Sequence, residues 1–115
     1  MEQSHILDDP KFRQMIIELE KIDKETFNRW HEQCDPDLKG VSQKNLGILH
    51  ELLMDAILKK EKEWTLSEPE IRPDGSIIYT ITNEKTRVSV DSSEGCKNET
   101  MSLLSAYLSA LKGLR

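Results

Sequence analysis

From Phe12 to Cys34 the apolar residues Phe12, Met15, Ile16, Leu19, Ile22, Phe27, Trp30 and Cys34 recur at helical spacing. At about 100° per residue they fall on one stripe about 140° wide, and only Ile17 lies well off it. Such a stripe must be covered, either by the rest of the chain or by another molecule. Continuity across the gap from Ile22 to Phe27 gives one expected helix of roughly 25 residues and about 37 Å. Asp8-Asp9-Pro10 supplies its start, with an aspartate cap and a proline at the first helical position, where its missing N–H costs nothing. Glu20–Lys24 and Glu25–Arg29 are spaced as helical ion pairs on the wet side. Asp23 is the weak point, where the helix bends or restarts. Asp35-Pro36-Asp37 stops it, because proline disfavours helical geometry in the residue before it.

Gly40 marks a turn, and Ser42 is a good cap for a second helix, expected over about 42–63. Leu46, Leu49, Leu52, Leu53, Ala56, Ile57 and Trp64 form its apolar face. The short link favours an antiparallel helix hairpin. Past Pro69 the texture changes. Pro73-Asp74-Gly75 reads as a turn, and Ser76–Thr82 is β-branched, with Ile77, Tyr79 and Ile81 on one face. Asn83-Glu84-Lys85 reads as a second turn. Arg87–Asp91 alternates, with Val88 and Val90 inward, and a third strand is expected around Glu70–Arg72. The last helix spans about Glu99–Lys112, capped by Asn98 and closed by Gly113. One of its sides is large and apolar. The other carries Ser102, Ser105, Ala106, Ser109, Ala110 and Gly113, small enough to let a second backbone approach closely.

The expected fold is therefore α+β: an N-terminal antiparallel helix hairpin, a small antiparallel β-hairpin or three-stranded meander, and a C-terminal helix. The 115 residues make one domain, with 1–9 frayed, 10–63 helical, 69–91 β and 98–113 helical again. The hairpin alone is marginal, so the sheet must lean on helices.

Charge is unevenly placed. Residues 1–37 hold ten acids and five bases, whereas residues 38–115 hold eleven of each, so the whole excess of −5 lies in the first third. That excess repels phosphate backbones and lowers the expectation of nucleic acid. The run Lys59–Glu63 alternates in sign, as a solvated, ion-paired helix end does. No apolar run is long enough for a membrane helix, and the opening Met-Glu-Gln-Ser-His is unlike a secretory leader. Two cysteines, Cys34 and Cys96, are too few for a disulfide scaffold, which points to a reducing cytosol. Asn98-Glu99-Thr100 fits a glycosylation acceptor, a match without consequence there.

Chemistry is sparse. The five glycines form no phosphate loop, and there is no nucleophile elbow, calcium loop or paired-histidine zinc motif. His31, Cys34, His50 and Cys96 lack the tight ligand pairs of structural zinc. Cys34 with His50 would need contact and a third orienting group. Glu51 and Asp55 fit a solvated helix face better than an acid–base pair. No cofactor, metal or enzymatic activity is expected. The expected role is a small cytoplasmic protein–protein interaction module (adaptor, inhibitor or regulator) acting through amphipathic helices. Its partner would be another protein or a second copy, with no membrane. Phe27, Trp30 and Trp64 are candidate aromatic anchors, and Ser105 and Ser109 mark the small-residue docking face. The motive is the long N-terminal helix, which exceeds the ~27 Å diameter of a compact domain of this size. The alternative is a nucleic-acid-binding regulator using a local basic surface of Arg72, Lys85, Arg87 and Lys97 around the hairpin.

Overall fold

The computed structural model describes residues 10–34, 43–60, 63–92 and 98–114. Helix α1 (Pro10–Ile22) opens on its proline and buries Phe12, Met15 and Leu19, the i, i+3, i+7 row of the apolar stripe. The expected Asp8-Asp9 cap, the Asp35-Pro36-Asp37 stop, Gly40 and the Ser42 cap lie outside the described residues.

The single helix expected from the stripe is two. Helix α2 (Lys24–Gln33) restarts after Asp23, whose φ of −136° and ψ of 75° leave helical space. The Asp23 N–H still donates to the Leu19 carbonyl at 2.8 Å, and its own carbonyl accepts from the Phe27 N–H at 3.2 Å. One residue thus ends one ladder and begins the next. The cause is local chemistry: Oδ1 accepts from the Thr26 N–H at 3.2 Å and Oδ2 from Thr26 Oγ1 at 2.7 Å. Aspartate is a better cap than a mid-helix residue, and here it caps. At 1.5 Å per residue, the two helices are about 20 and 15 Å long. The molecule extends 43 × 35 × 20 Å, so neither helix outgrows its own body, unlike the single rod expected from the stripe.

Helix α3 (Gln43–Asp55) runs into a single π-helical turn, Ala56–Lys60. Leu46, Leu49, Leu53, Ala56 and Ile57 are buried along this stretch. Trp64, expected to extend the helix face, instead begins strand β1 (Trp64–Leu66), in which Trp64 is buried, Thr65 exposed and Leu66 half-buried. That is the two-residue period of a strand.

The remaining strands are β2 (Glu70–Ile71), β3 (Ile77–Ile78), β4 (Thr80–Asn83) and β5 (Val88–Asp91). They form two units. One is a three-stranded antiparallel sheet in the order β1-β4-β5, and the other is a two-stranded ribbon, β2-β3. The expected third strand at Glu70–Arg72 thus belongs to the ribbon, and β1 takes its place in the sheet. The ribbon turns through Pro73-Asp74-Gly75, with Gly75 at φ 89°, a left-handed position that glycine occupies without penalty.

The expected continuous strand Ser76–Thr82 is broken at Tyr79. Ile78 and Tyr79 are both buried, so inward–outward alternation fails there. Ser92 holds the break: its Oγ accepts from the Tyr79 N–H at 3.0 Å, and its N–H donates to the Tyr79 carbonyl at 2.9 Å. Val88, expected inward, is 47% exposed, whereas Val90 packs against the core. Val88 pairs with Asn83, at the turn end of the hairpin. The Asn83 side chain turns inward there, accepting from the N–H groups of Lys85 and Thr86 at 2.9 and 3.1 Å.

Helix α4 (Glu99–Gly113) is capped by Asn98, whose Oδ1 accepts from Thr100 and Met101 N–H groups at 2.9 and 3.1 Å. It runs through the middle of the fold, touching α1, α3, β3, β4 and β5. Eleven of its fifteen residues are buried, which explains its having an apolar side and a small side but no charged one. Its small side meets the sheet. Ser102 bonds across to the Ile77 carbonyl and to Ser92 Oγ, and a Cβ placed on Gly113 would lie 3.5 Å from Val90.

Candidate functional site

Two concavities flank α3. A groove of about 280 Å³ lies between α2 and the π-helical turn, lined by Glu25, Arg29, Asp55 and Lys59 together with Leu52 and Ala56. Its charges balance, two acids against two bases, and Lys59 Nζ sits 3.0 Å from Asp55. Asp55 is thereby spent on the ion-paired surface expected of it. Nothing in this groove asks for an outside charge.

The second is an open cavity of about 500 Å³, bounded by α3, the start of α4 and β3. Leu46, Gly47 and Ile77 supply its apolar lining, and Glu51 and Glu99 its carboxylates. Gly47 is a mid-helix glycine with nothing within 4 Å of where a Cβ would stand, so its missing side chain leaves open space. His50 Nδ1 lies 3.4 Å from Thr100 Oγ1, which ties the two helices together beside the cavity. Both glutamates are exposed, and neither forms an ion pair among the described residues. Glu99 also acts on a neighbour: burial, and then the Glu99 charge, hold the Tyr79 phenol above its ordinary pKa.

Trp30 is buried, and its Nε1–H donates to the Asn45 carbonyl at 2.8 Å, fastening α2 to the first turn of α3. Trp64 is buried edge-on to Tyr107, with ring centroids 6.3 Å apart. Ser105 is buried in α4. These three expected partner-binding residues are therefore buried within the chain, Trp30 and Trp64 as members of its hydrophobic core cluster. Phe27 and Ser109 are half-buried. Phe27 meets Trp30 edge-on at 6.3 Å and stacks on His31 at 6.1 Å.

The possible catalytic residues stay apart. Cys34 caps the end of α2, and burial pushes its thiol up, opposite to the lowered pKa that a nucleophile needs. His31 stacks on Phe27, and His50 sits by Thr100. Cys96 lies outside the described residues. Among those described, no three His, Cys, Asp or Glu side chains are grouped to hold a metal ion. No described helix is long and apolar enough to cross a membrane.

The basic residues are also divided. Arg72 stands by the ribbon turn, 3.9 Å from Glu70, whereas Lys85 and Arg87 lie in the β4–β5 turn, at the opposite end of the run Ser76–Asn83. Lys97 lies outside the described residues. The outer face of the sheet between these ends carries hydroxyls. Thr65 pairs with Thr82, and Thr82 with Ser89, in one cross-strand row, with Thr82 Oγ1 2.7 Å from Ser89 Oγ. Such a face offers no aromatic platform for bases.

Sequence reasoning missed the cavity, because its carboxylates converge from α3 and α4. The available signal was Gly47, a glycine in mid-helix where alanine would be more stable. No family model, curated protein or solved structure matches the chain.

Proposed function

We propose that this chain is a small cytoplasmic protein–protein interaction module, an adaptor or regulator that docks another protein. The observation that carries this reading is Ile71, which is 70% exposed on the β2-β3 ribbon. Its exposed neighbours Glu70 and Arg72 point to the opposite face of the strand, where they lie 3.9 Å apart, and so leave the Ile71 side chain uncovered. A large apolar side chain left this exposed costs solvation unless something covers it.

The ribbon's backbone supports docking through this side chain. The Arg72 N–H donates to the Ser76 carbonyl at 2.9 Å. By antiparallel alternation, the N–H and C=O of Ile71 then point away from β3. Pro69 and Pro73 stand two residues to either side, and neither has an N–H to donate. The edge is thus blunted against strand-by-strand aggregation, while the Ile71 side chain remains available.

The test is a photo-crosslinking amino acid placed at position 71 in native cells, with position 82 on the hydroxyl face as control. A discrete adduct from position 71 and none from position 82 is expected. Equal or absent adducts at position 71 would refute the reading. Light scattering across a dilution series separates another protein from a second copy.

A further inference from the structure

We infer that the cavity over Gly47 receives one basic side chain, lysine or arginine, presented by a protein partner. This rests on the interaction reading above and gives it a second, chemically defined contact. Three independent features of the cavity fit such an occupant. Its volume of about 500 Å³ is ample for a long side chain, and it stays open because Gly47 puts no side chain into it. Its apolar lining, Leu46 and Ile77, suits the methylene stem that lysine and arginine carry behind their charge. Glu51 and Glu99 lie on two different helices and have no ion-pair partner among the described residues. Because both line the same cavity, a cation seated there meets two carboxylates.

The contrast with the groove on the other side of α3 sharpens the assignment. There two acids face two bases, and Asp55 already holds Lys59 at 3.0 Å. Of these two, the cavity over Gly47 is the one whose carboxylates have no paired base among the described residues, since its third titratable group is His50, next to Thr100. An anionic occupant, nucleic acid included, would meet the like charge of Glu51 and Glu99.

The test uses small probes, so no partner need be known. N-acetyl-argininamide is titrated into the isotope-labelled chain, and the amide shifts of Gly47, Glu51 and Thr100 are followed. Saturable shifts confined to these residues, with millimolar affinity, are expected. N-acetyl-citrullinamide, equal in shape and uncharged, should bind at least about tenfold more weakly, the ratio that ~1.4 kcal/mol represents. Glu51→Gln with Glu99→Gln should cost about the same factor. Gly47→Leu should fill the cavity and abolish binding in a helix that tolerates leucine better than glycine. The glutamine pair alters exposed side chains only, so the test holds even if Gly47→Leu folds poorly. Equal binding of citrulline, unchanged binding by the glutamine pair, or no saturable shift would each overturn the assignment. The two proposals fail separately. Probe binding without an adduct at position 71 leaves a cation site and removes the docking ribbon, and the reverse result removes the cavity alone.

Discussion

The chain is broken twice where its hydrophobic pattern runs on, at Asp23 between α1 and α2 and at Tyr79 between β3 and β4. Both breaks are held by α4, but by different means. At Asp23 the break is anionic: the buried carboxylate accepts from Thr26 twice and from the Tyr107 hydroxyl. At Tyr79 it is neutral: Ser92 satisfies the backbone on both sides, and Ser102 reaches from α4 to Ser92 and to the Ile77 carbonyl. A buried charge gains more from each hydrogen bond than a neutral group does, and loses more when one is removed. The α1–α2 joint should therefore be the costlier of the two to disturb.

The largest effect is expected from Asp23→Ala. It removes a helix cap and leaves the Tyr107 hydroxyl without this acceptor in the core, for a loss of about 3 kcal/mol in urea unfolding. Asp23→Asn keeps a capping oxygen and should lose about half as much. A loss below about 1 kcal/mol for the alanine variant would show that the joint is held by packing and not by the carboxylate.

These two breaks also show how much the sequence could reveal. Asp23 was legible as a weak point because its cause is local: the cap and its Thr26 partner lie within one turn. Tyr79 was not, since Ile77, Tyr79 and Ile81 keep perfect alternation, and the residues that split the strand, Ser92 and Ser102, come from elsewhere in the chain. The small side of the last helix was legible as a surface for close approach. That the chain's own sheet fills it was not, because a pattern of serines names no occupant. Trp64 was misplaced for a related reason. It falls on the helical period of Leu46–Ile57 and equally on the strand period of Trp64-Thr65-Leu66, and only the pairing of β1 with β4 decides. The α+β order itself was readable, since proline and glycine separate the segments and each segment keeps one period.

Tyr107→Phe comes next in size. It keeps the ring that packs on Trp64 and takes one donor from Asp23, so about 2 kcal/mol is expected. A double-mutant cycle with Asp23→Ala isolates the pair, and a coupling indistinguishable from zero would mean that the two groups do not act together. Ser102→Ala is the matching change at the neutral break. It loses a hydroxyl with partners in β3 and at Ser92, for about 1 kcal/mol. The comparison fails if Ser102→Ala costs more than Tyr107→Phe.

The smallest effect separates the breaks by pH. Burial and the Glu99 charge hold the Tyr79 phenol above its ordinary value in the folded chain. The folded state therefore keeps that proton more tightly than the unfolded one. Its contribution to stability is fully present below about pH 10, the unfolded value, and is lost as pH rises through the higher folded value. Unfolding free energy should fall with pH above about 10, and Tyr79→Phe should remove that part of the slope. Glu99→Gln should reduce it without abolishing it, because burial is the larger cause. Asp23→Asn should leave this part of the alkaline slope in place, since its partner phenol is Tyr107 and not Tyr79. If Tyr79→Phe leaves the slope unchanged, the phenol is as free to ionise in the fold as in the open chain, and neither its burial nor the Glu99 charge distinguishes this break from the one at Asp23.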